Sequence, residues 1–523
     1  MSRSDPTRLV NNTLWNLVGR TAQLAVGLFL TPYLLTHLGQ ERFGLWALAN
    51  LLIGYLSLAD MGIQSSLVRH IAHSQPDEQP LEFCRIISTS FFFYLGAGVL
   101  LAPLSLWAGP ALLAVFQQWG NETVPASLAG EAEFVITFVM ATLFLSLALA
   151  VFSSIPNGLQ RMDRANQLVV VTAIGNLAAA VVAVEGGWGV PGLLVGMIVV
   201  KLLVAAITYA VCLRLFDRMQ VSPRHVHWSV WKELFEFGWK IQVARLCELL
   251  TFGFDRLFLS AVGGVAALGR YQPAVQVSTQ TRMLPHFLVM AALPYASDLS
   301  ARADRRALHE LYLRGTLYLT FASFAILGFV AATAPLLTRL WLGPGYDDVA
   351  LWIRIFSLAY LTTNPLSLGG LISQAIGRPG IQARSAMLGT ICTIVFSTTG
   401  YRWGGVTGLA AGSALAAVAA GAWFFQRLNR ELEIPHGTVV RRSFLAPAAH
   451  LLLPAALIAL GVESFPVEGT AATLLALTLA GVIFSLPVLL GISRLKLWNV
   501  LGQLAPAAPS GKPADDGDLD SGL

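Results

Sequence analysis

Charge is the scarcest thing in this sequence. Only 12% of its 523 residues are Asp, Glu, Lys or Arg, against 55% hydrophobic, whereas soluble domains carry about 25% charge. That shortage excludes water as the main solvent of the fold. Cysteine is nearly absent as well. Cys84, Cys212, Cys247 and Cys392 stand singly in or beside apolar runs with no C-x-x-C spacing, which excludes a thiolate metal centre and leaves small buried hydrophobes. Long polar loops are missing too. The longest one on the side opposite the termini, 114–130, holds Glu122 as its sole acid and no histidine, so there is no room for the catalytic constellation of a membrane polymerase or ligase. No enzyme, no cofactor and no metal site is expected; His225 and His227, in a basic loop, read as solvated. The net charge of +5 is spread over many short segments, with no basic stripe left for nucleic acid.

Long apolar runs are what the chain has instead. About 20 mostly apolar residues cross a hydrocarbon core of about 30 Å, and fourteen such runs are found, from 12–37 to 469–492. The expected fold is therefore all-α and integral to a membrane. Orientation follows from the bases, which cytoplasmic loops retain. With both termini inside, Arg3 and Arg8, Arg69 and Arg85, Arg161 and Arg164, Arg214 to Lys232, Arg302 to Arg306, Arg378 and Arg384, Arg427 to Arg442 and Arg494 to Lys512 fall on the cytoplasmic side. The other side keeps Arg42, Arg270, Arg339 and Arg402 beside a run of acids such as Glu131, Glu185, Asp347 and Glu463. The first span is too long and lacks the small-residue site of a cleaved signal, so it is expected to stay.

The chain repeats itself. LQRMDRANQLVVV around Gln160 returns as SQAIGRPGIQARS, which sets Gln160 and Arg164 on Gln374 and Arg378, and WGVPGLLVG from Trp188 returns as WGGVTGLAAG from Trp403. Spans five and six thus recur as eleven and twelve, giving two parallel six-helix lobes around a central cavity plus two C-terminal helices. The expected boundaries are a lobe at 1–213, a cytoplasmic linker at 214–232, a lobe at 233–430, two added helices at 431–492 and a disordered tail at 493–523. Trp228, Trp231, Leu234 and Phe235 recur at helical spacing beside bases, as in a helix lying on the membrane surface.

The seventh span, FEFGWKIQVARLCELLTFGFDRLFLSAVG, carries Lys240, Arg245, Glu248, Asp255 and Arg256. At about 100° per residue all five share one side of the helix, and a charge at a helix centre costs about 2.5–3.5 kcal/mol to insert. That side should face protein or a wet cavity. Arg245 and Glu248, three residues apart, can pair; Glu248 can equally serve as a titratable coupling group, as can Asp60 and Asp255. The other spans add Arg20, Lys201, Arg282, Arg314 and Arg354 against Asp60 alone. Pairing cannot consume that excess of bases, so Arg20, Lys201, Arg245 and Arg282 are candidates to bind an anionic cargo.

The opening NNTLWNLVGRTAQLAVGLFLTPYLLTHLGQERFGLWALANLLIGYLSLADMGIQSSLVRHIA resembles the Wzx-type polysaccharide-biosynthesis flippases of the multidrug/oligosaccharidyl-lipid/polysaccharide exporter superfamily. The likeness lies in an Asn near the start of the first helix and Arg20 two turns on. It continues in Leu38-Gly39 ahead of Phe43-Gly44-Leu45-Trp46, and in Asp60-Met61-Gly62. It covers about 10–430 in layout. The resemblance implies alternating access by two lobes and a cargo of oligosaccharide on undecaprenyl pyrophosphate. It also implies contact of Arg20, Lys201, Arg245 and Arg282 with that pyrophosphate or with acidic sugars, and a home in the bacterial cytoplasmic membrane. A polysaccharide polymerase and a chain-length regulator are the protein partners of such a pathway. Gln272, Gln276 and Thr279 are positions where sugar selectivity would reside. A cation-coupled multidrug exporter and a lipid II flippase are the alternatives within the superfamily; the second span has no arginine before Arg69, where lipid II flippases typically carry one.

Overall fold

A computed structural model describes residues 6–73, 80–119, 124–215, 219–301, 305–465, 467 and 469–494. The side chains of Lys240 and of 287–300 lie outside that description, as do the tail beyond Arg494 and loop residue Glu122. Among the described residues there is no β-strand. A chain in hydrocarbon must satisfy every backbone N–H and C=O internally, and the apolar runs accordingly wind into helices.

The first lobe runs α1 (Pro6–Leu56), α2 (Ile63–His73), α3 (Pro80–Trp119), α4 (Ala129–Gly158), α5 (Met162–Glu185) and α6 (Gly189–Leu215). The second runs α7 (Trp228–Val262), α8 (Gly264–Ala301), α9 (Arg305–Leu342), α10 (Asp347–Thr363), α11 (Ser367–Ala375) and α12 (Pro379–Glu431). A short α13 (His436–Val439) and a π-turn lead into α14 (Leu445–Ser464), and α15 (Thr470–Arg494) closes the described chain. Two of these helices are each two spans joined at a glycine kink, α1 at Gly39 and α12 at Gly404 and Gly405. Conversely, the second and tenth spans break into two helices around short 3₁₀ turns at Ser57–Asp60 and Asn364–Leu366. Among the described residues ten helical segments are long and apolar enough to cross a membrane. Two of those hold two spans each, and α7 and α8 fall outside the set because they carry the polar side chains described below.

The repeat is visible as geometry. Gly189 and Gly405 both sit at positive φ, 58° and 57°, a region closed to most side chains. A Cβ on Gly192 would press on Ala183 and one on Gly196 on Ala179, while one on Gly408 would strike the Gly400 backbone and one on Gly412 that of Phe396. The α5–α6 hairpin therefore recurs in the two halves of α12. The other matched pair shifts register. In the turn after α4, Leu159, Gln160 and Arg161 donate to Ile155, Asn157 and Pro156; after α11, Ile376, Gly377 and Arg378 donate to Ile372, Gln374 and Ser373. Arg378 thus stands where Arg161 does, not Arg164, because the αL position of the helix cap falls on Gln160 in one turn and on Gly377 in the other.

The lobes meet at both ends of the bundle. At the end away from the N-terminus, Gln40 Nε2 donates to Ala266 O at 2.9 Å. There α1 and α8 touch backbone to backbone, since a Cβ on Gly44 would lie 1.7 Å from Val265 O. At the N-terminal end α2 meets α7 through Gly62 and Gly238, and His70 Nε2 lies 3.1 Å from Glu233 Oε1. The segment 219–227 is fastened to α3: Ser222 N donates to Ser88 Oγ at 3.2 Å and His227 N to Thr89 Oγ1 at 3.1 Å. Trp228, Trp231 and Phe235 do not form a separate surface helix; they stack on one another as the first turns of α7.

Candidate functional site between the lobes

The site begins at the break in the second span. Met61 and Gly62 take positive φ there, which ends one helix and starts α2, and Asp60 is left at the joint, 2% exposed. Its Oδ1 accepts from Tyr94 Oη at 2.5 Å and from Gln64 N at 3.3 Å. Its Oδ2 has no hydrogen bond and faces Arg245 Nη1 at 3.8 Å. The partner of Arg245 is therefore Asp60 of the opposite lobe and not Glu248, its neighbour in sequence. Glu248 is exposed, and no ion pair to it occurs among the described residues.

Arg245 is half exposed, and it starts a stripe along α7. Leu249, Phe252 and Arg256 follow at helical spacing on the same face. Tyr55 Oη of α1 donates to Leu249 O at 3.2 Å, and Arg256 Nη2 donates to Phe252 O at 2.8 Å. The Phe252 ring carries the guanidinium of Arg282 4.3 Å above its centroid, and the Tyr360 ring lies 5.3 Å from the same group. Aromatic faces attract a cation without consuming its N–H donors, and Arg282 Nε is buried with no hydrogen-bond partner. The helix is pinned at that level by Asn364, whose Nδ2 donates to Arg282 O at 3.0 Å.

Arg20 joins from α1. It lies eighteen residues before Leu38, and Arg282 lies eighteen after Gly264; at about 1.5 Å per residue both sit about 27 Å from the far end. Arg20 and Arg282 are both within electrostatic reach of His286, one turn further along α8. Arg20 and Arg282 thus approach His286 from opposite lobes, and Arg245 meets Asp60 across the same boundary.

Other candidates go elsewhere. Lys201 lies in a cleft inside the first lobe, where its Nζ donates to Ser146 Oγ at 3.3 Å. Asp255 turns into the second lobe, 6% exposed, accepting from Tyr271 Oη at 2.7 Å and Arg256 N at 2.8 Å. Arg314 pairs with Glu310 at 3.0 Å and Arg354 with Glu463 at 2.5 Å. Gln276 is spent on joining the lobes, accepting from Thr31 Oγ1 at 2.8 Å and donating to Gly27 O at 2.9 Å. Sequence reasoning missed His286, Tyr55, Phe252 and Tyr94. His286 could have been found, four residues after Arg282 on one helix face; the aromatics could not be told from core.

A two-lobed helical bundle with cations along the boundary between its lobes is a membrane transporter. The polysaccharide biosynthesis protein family matches residues 9–300, and the chain belongs to that family. A Shigella flexneri protein named "Putative O-antigen transporter" is 23% identical over 346 residues, covering 65% of this chain and 78% of its own. The fold is that of the lipid II flippase MurJ in an inward closed conformation, with TM-score 0.68 at 10% identity over 93% of this chain and 99% of that one. It is shared by a multidrug resistance MATE family transporter in an inward-facing conformation, with TM-score 0.63 at 16% identity over 82% and 98%.

Proposed function

We propose that this protein flips undecaprenyl-pyrophosphate-linked oligosaccharide across the bacterial cytoplasmic membrane, for assembly of a surface polysaccharide. The observation that carries this reading is the placement of Arg20, Arg245 and Arg282 along the boundary between the lobes, where Arg245 pairs with Asp60 and Arg282 rests on aromatic rings. Such a boundary attracts an anion and repels the cationic cargo of multidrug exporters. A guanidinium offers a planar fork of donors to phosphate oxygens, and Arg282, held by π-faces with Nε unspent, is poised to give it. Arg245 would exchange Asp60 for the pyrophosphate, which loosens a contact between the lobes as cargo binds. The positive-inside distribution supports cytoplasmic termini, so the end joined by Gln40 and Ala266 is the outer one. A polymerase and a chain-length regulator would act on the product outside.

The test is reconstitution in liposomes with fluorescently tagged lipid-linked oligosaccharide, scoring protection of the tag from a membrane-impermeant quencher. The wild type moves the tag across and Arg282→Ala does not. Equal flipping by both, or flipping of the free lipid without pyrophosphate, would remove the basis for the proposal.

A further inference from the structure

The second and seventh spans run antiparallel where they meet, and they touch rung by rung. Gln242 Nε2 donates to Leu58 O at 2.7 Å, Arg245 faces Asp60, and Gly238 lies against the Gly62 backbone. Nearer the end of α2 the Arg69 guanidinium stands 4.2 Å from the centroid of the Phe237 ring, and His70 meets Glu233 at the rim, where Glu233 is 69% exposed. The geometry of that last rung counts its protons. Nδ1 of His70 lies 2.8 Å from Ser66 O, and a backbone carbonyl only accepts, so Nδ1 carries a hydrogen. Nε2 lies 3.1 Å from Glu233 Oε1, and a carboxylate only accepts as well. A neutral imidazole has one N–H and cannot serve both. The rung therefore holds one proton more than a neutral imidazole beside a carboxylate, whichever side chain carries it.

We infer that His70 and Glu233 form a proton-operated latch: in the cargo-free protein one bound proton closes the rim of the seam between the lobes, and its loss frees the first turns of α7 from α2. The neighbouring charges are engaged elsewhere. Arg69 of α2 rests on Phe237, and on α7 Lys232 lies 3.9 Å from Glu236. Glu82 and Arg85 of α3 are exposed, and among the described residues neither pairs with His70. α4 meets α2 at Gly158 and brings the neutral Asn157, and the turn after it pairs Arg161 and Arg164 with Asp163. Histidine is the side chain whose charge turns over nearest neutral pH. Of the other rungs only Asp60 can titrate, and it is buried against Tyr94 and Arg245. The closed form binds one proton more than the open form, so the closed-to-open ratio falls as pH rises, by at most about tenfold per pH unit. The latch needs lobes that move, whatever cargo they carry.

The test uses full-length protein in nanodiscs without cargo, its native cysteines replaced by alanine and spin labels placed on Ala72→Cys and Ser229→Cys, both exposed positions. Distances between the labels are recorded from about pH 6 to about pH 8. The otherwise unchanged protein should gain a longer-distance population as pH rises, with the short-to-long ratio falling up to about tenfold per unit. His70→Gln should show the long distance throughout, and His70→Arg, which keeps a cation, the short one. Glu233→Gln, whose amide can donate to a neutral Nε2, should be flat with pH. Glu233 is exposed, so that variant answers even if His70→Gln fails to fold. A distance that ignores pH in the unchanged protein, or a full response in monodisperse His70→Gln or Glu233→Gln, overturns the latch. A response abolished by Asp60→Asn or Glu248→Gln instead puts the sensor elsewhere and overturns it too. Wild-type flipping by Arg282→Ala would sink the headgroup reading and leave the latch standing.

Discussion

Arg245 and Arg282 show how differently two membrane arginines can be kept. Arg282 rests on aromatic faces and Arg245 on a carboxylate from the opposite lobe. Removing Arg282 leaves only uncharged rings, and removing Arg245 takes the counter-ion from Asp60 while its carboxylate keeps the bonds from Tyr94 and Gln64. Arg245→Ala and Arg282→Ala should therefore abolish export while protein abundance in the membrane, read by immunoblot, stays near normal. Loss of abundance would mean a structural pair, since breaking a buried one costs about 3–5 kcal/mol. Asp60→Ala should behave oppositely and lower abundance, because in a buried site Tyr94 Oη would keep only the backbone carbonyl of residue 60 at 3.3 Å and Arg245 would lose its carboxylate. Glu248, exposed beside Arg245, is one of three acids, with Asp60 and Asp255, that we propose for coupling: Glu248→Gln should bind cargo normally and transport it at a rate independent of pH. A wild-type pH profile in liposomes at fixed potential would rule that role out. The charges themselves were legible in the sequence, because nothing else breaks an apolar span so plainly. Their partners were not. Helical spacing sees only neighbours on one helix, and it offered Glu248 to Arg245 when the true partner comes from another lobe.

At the scale of the element, glycines set how closely the lobes approach. A Cβ at Gly44 would sit 1.7 Å from Val265 O, a backbone atom that cannot swing away, whereas one at Gly54 would find only Leu249 Cδ2 at 4.0 Å. Gly44→Ala should therefore push α1 from α8 and destabilise the contact at the end away from the N-terminus, by about 1–3 kcal/mol as for other overpacked contacts. Gly54→Ala should be silent. Spin labels beside the Gly39 kink of α1 and at the start of α8 would report a longer mean distance in the first variant only. The repeat was legible because its glycines recur, and they recur because two helix hairpins need the same close contacts. Its register at the α4–α5 turn was not legible. Matching Gln to Gln and Arg to Arg ignores which residue must take the left-handed cap position, and Gln160 fills the place of Gly377. The breaks at Ser57–Asp60 and Asn364–Leu366 were likewise invisible to hydropathy, which averages over them.

For the whole molecule, the bilayer made the fold legible: hydrocarbon allows little besides helices of spanning length, so counting apolar runs was enough. Which side faces the cytoplasm is testable by cysteine labelling. Sites in 219–230 should react only after permeabilisation and sites in 463–468 from outside; labelling of both from one side would refute the parallel arrangement. Alternating access makes a further demand on the contacts between lobes. In this structure the lobes are joined on the side of the arginines away from the N-terminus by Gln40 to Ala266, Gln276 to Gly27 and Trp341 to Leu28, and in the proposed orientation releasing cargo outward requires all three to part. The membrane potential favours that step for an anion leaving a negative interior, by about 2.3 kcal/mol per unit charge at 100 mV. Resetting the emptied cationic site then runs against the same field. A short thiol cross-linker between Gln40→Cys and Ala266→Cys should stop flipping and leave cargo binding from the cytoplasmic side intact, with activity returning on reductive cleavage. Wild-type turnover by the cross-linked protein would show that cargo crosses without the outer ends separating, and alternating access would have to be abandoned.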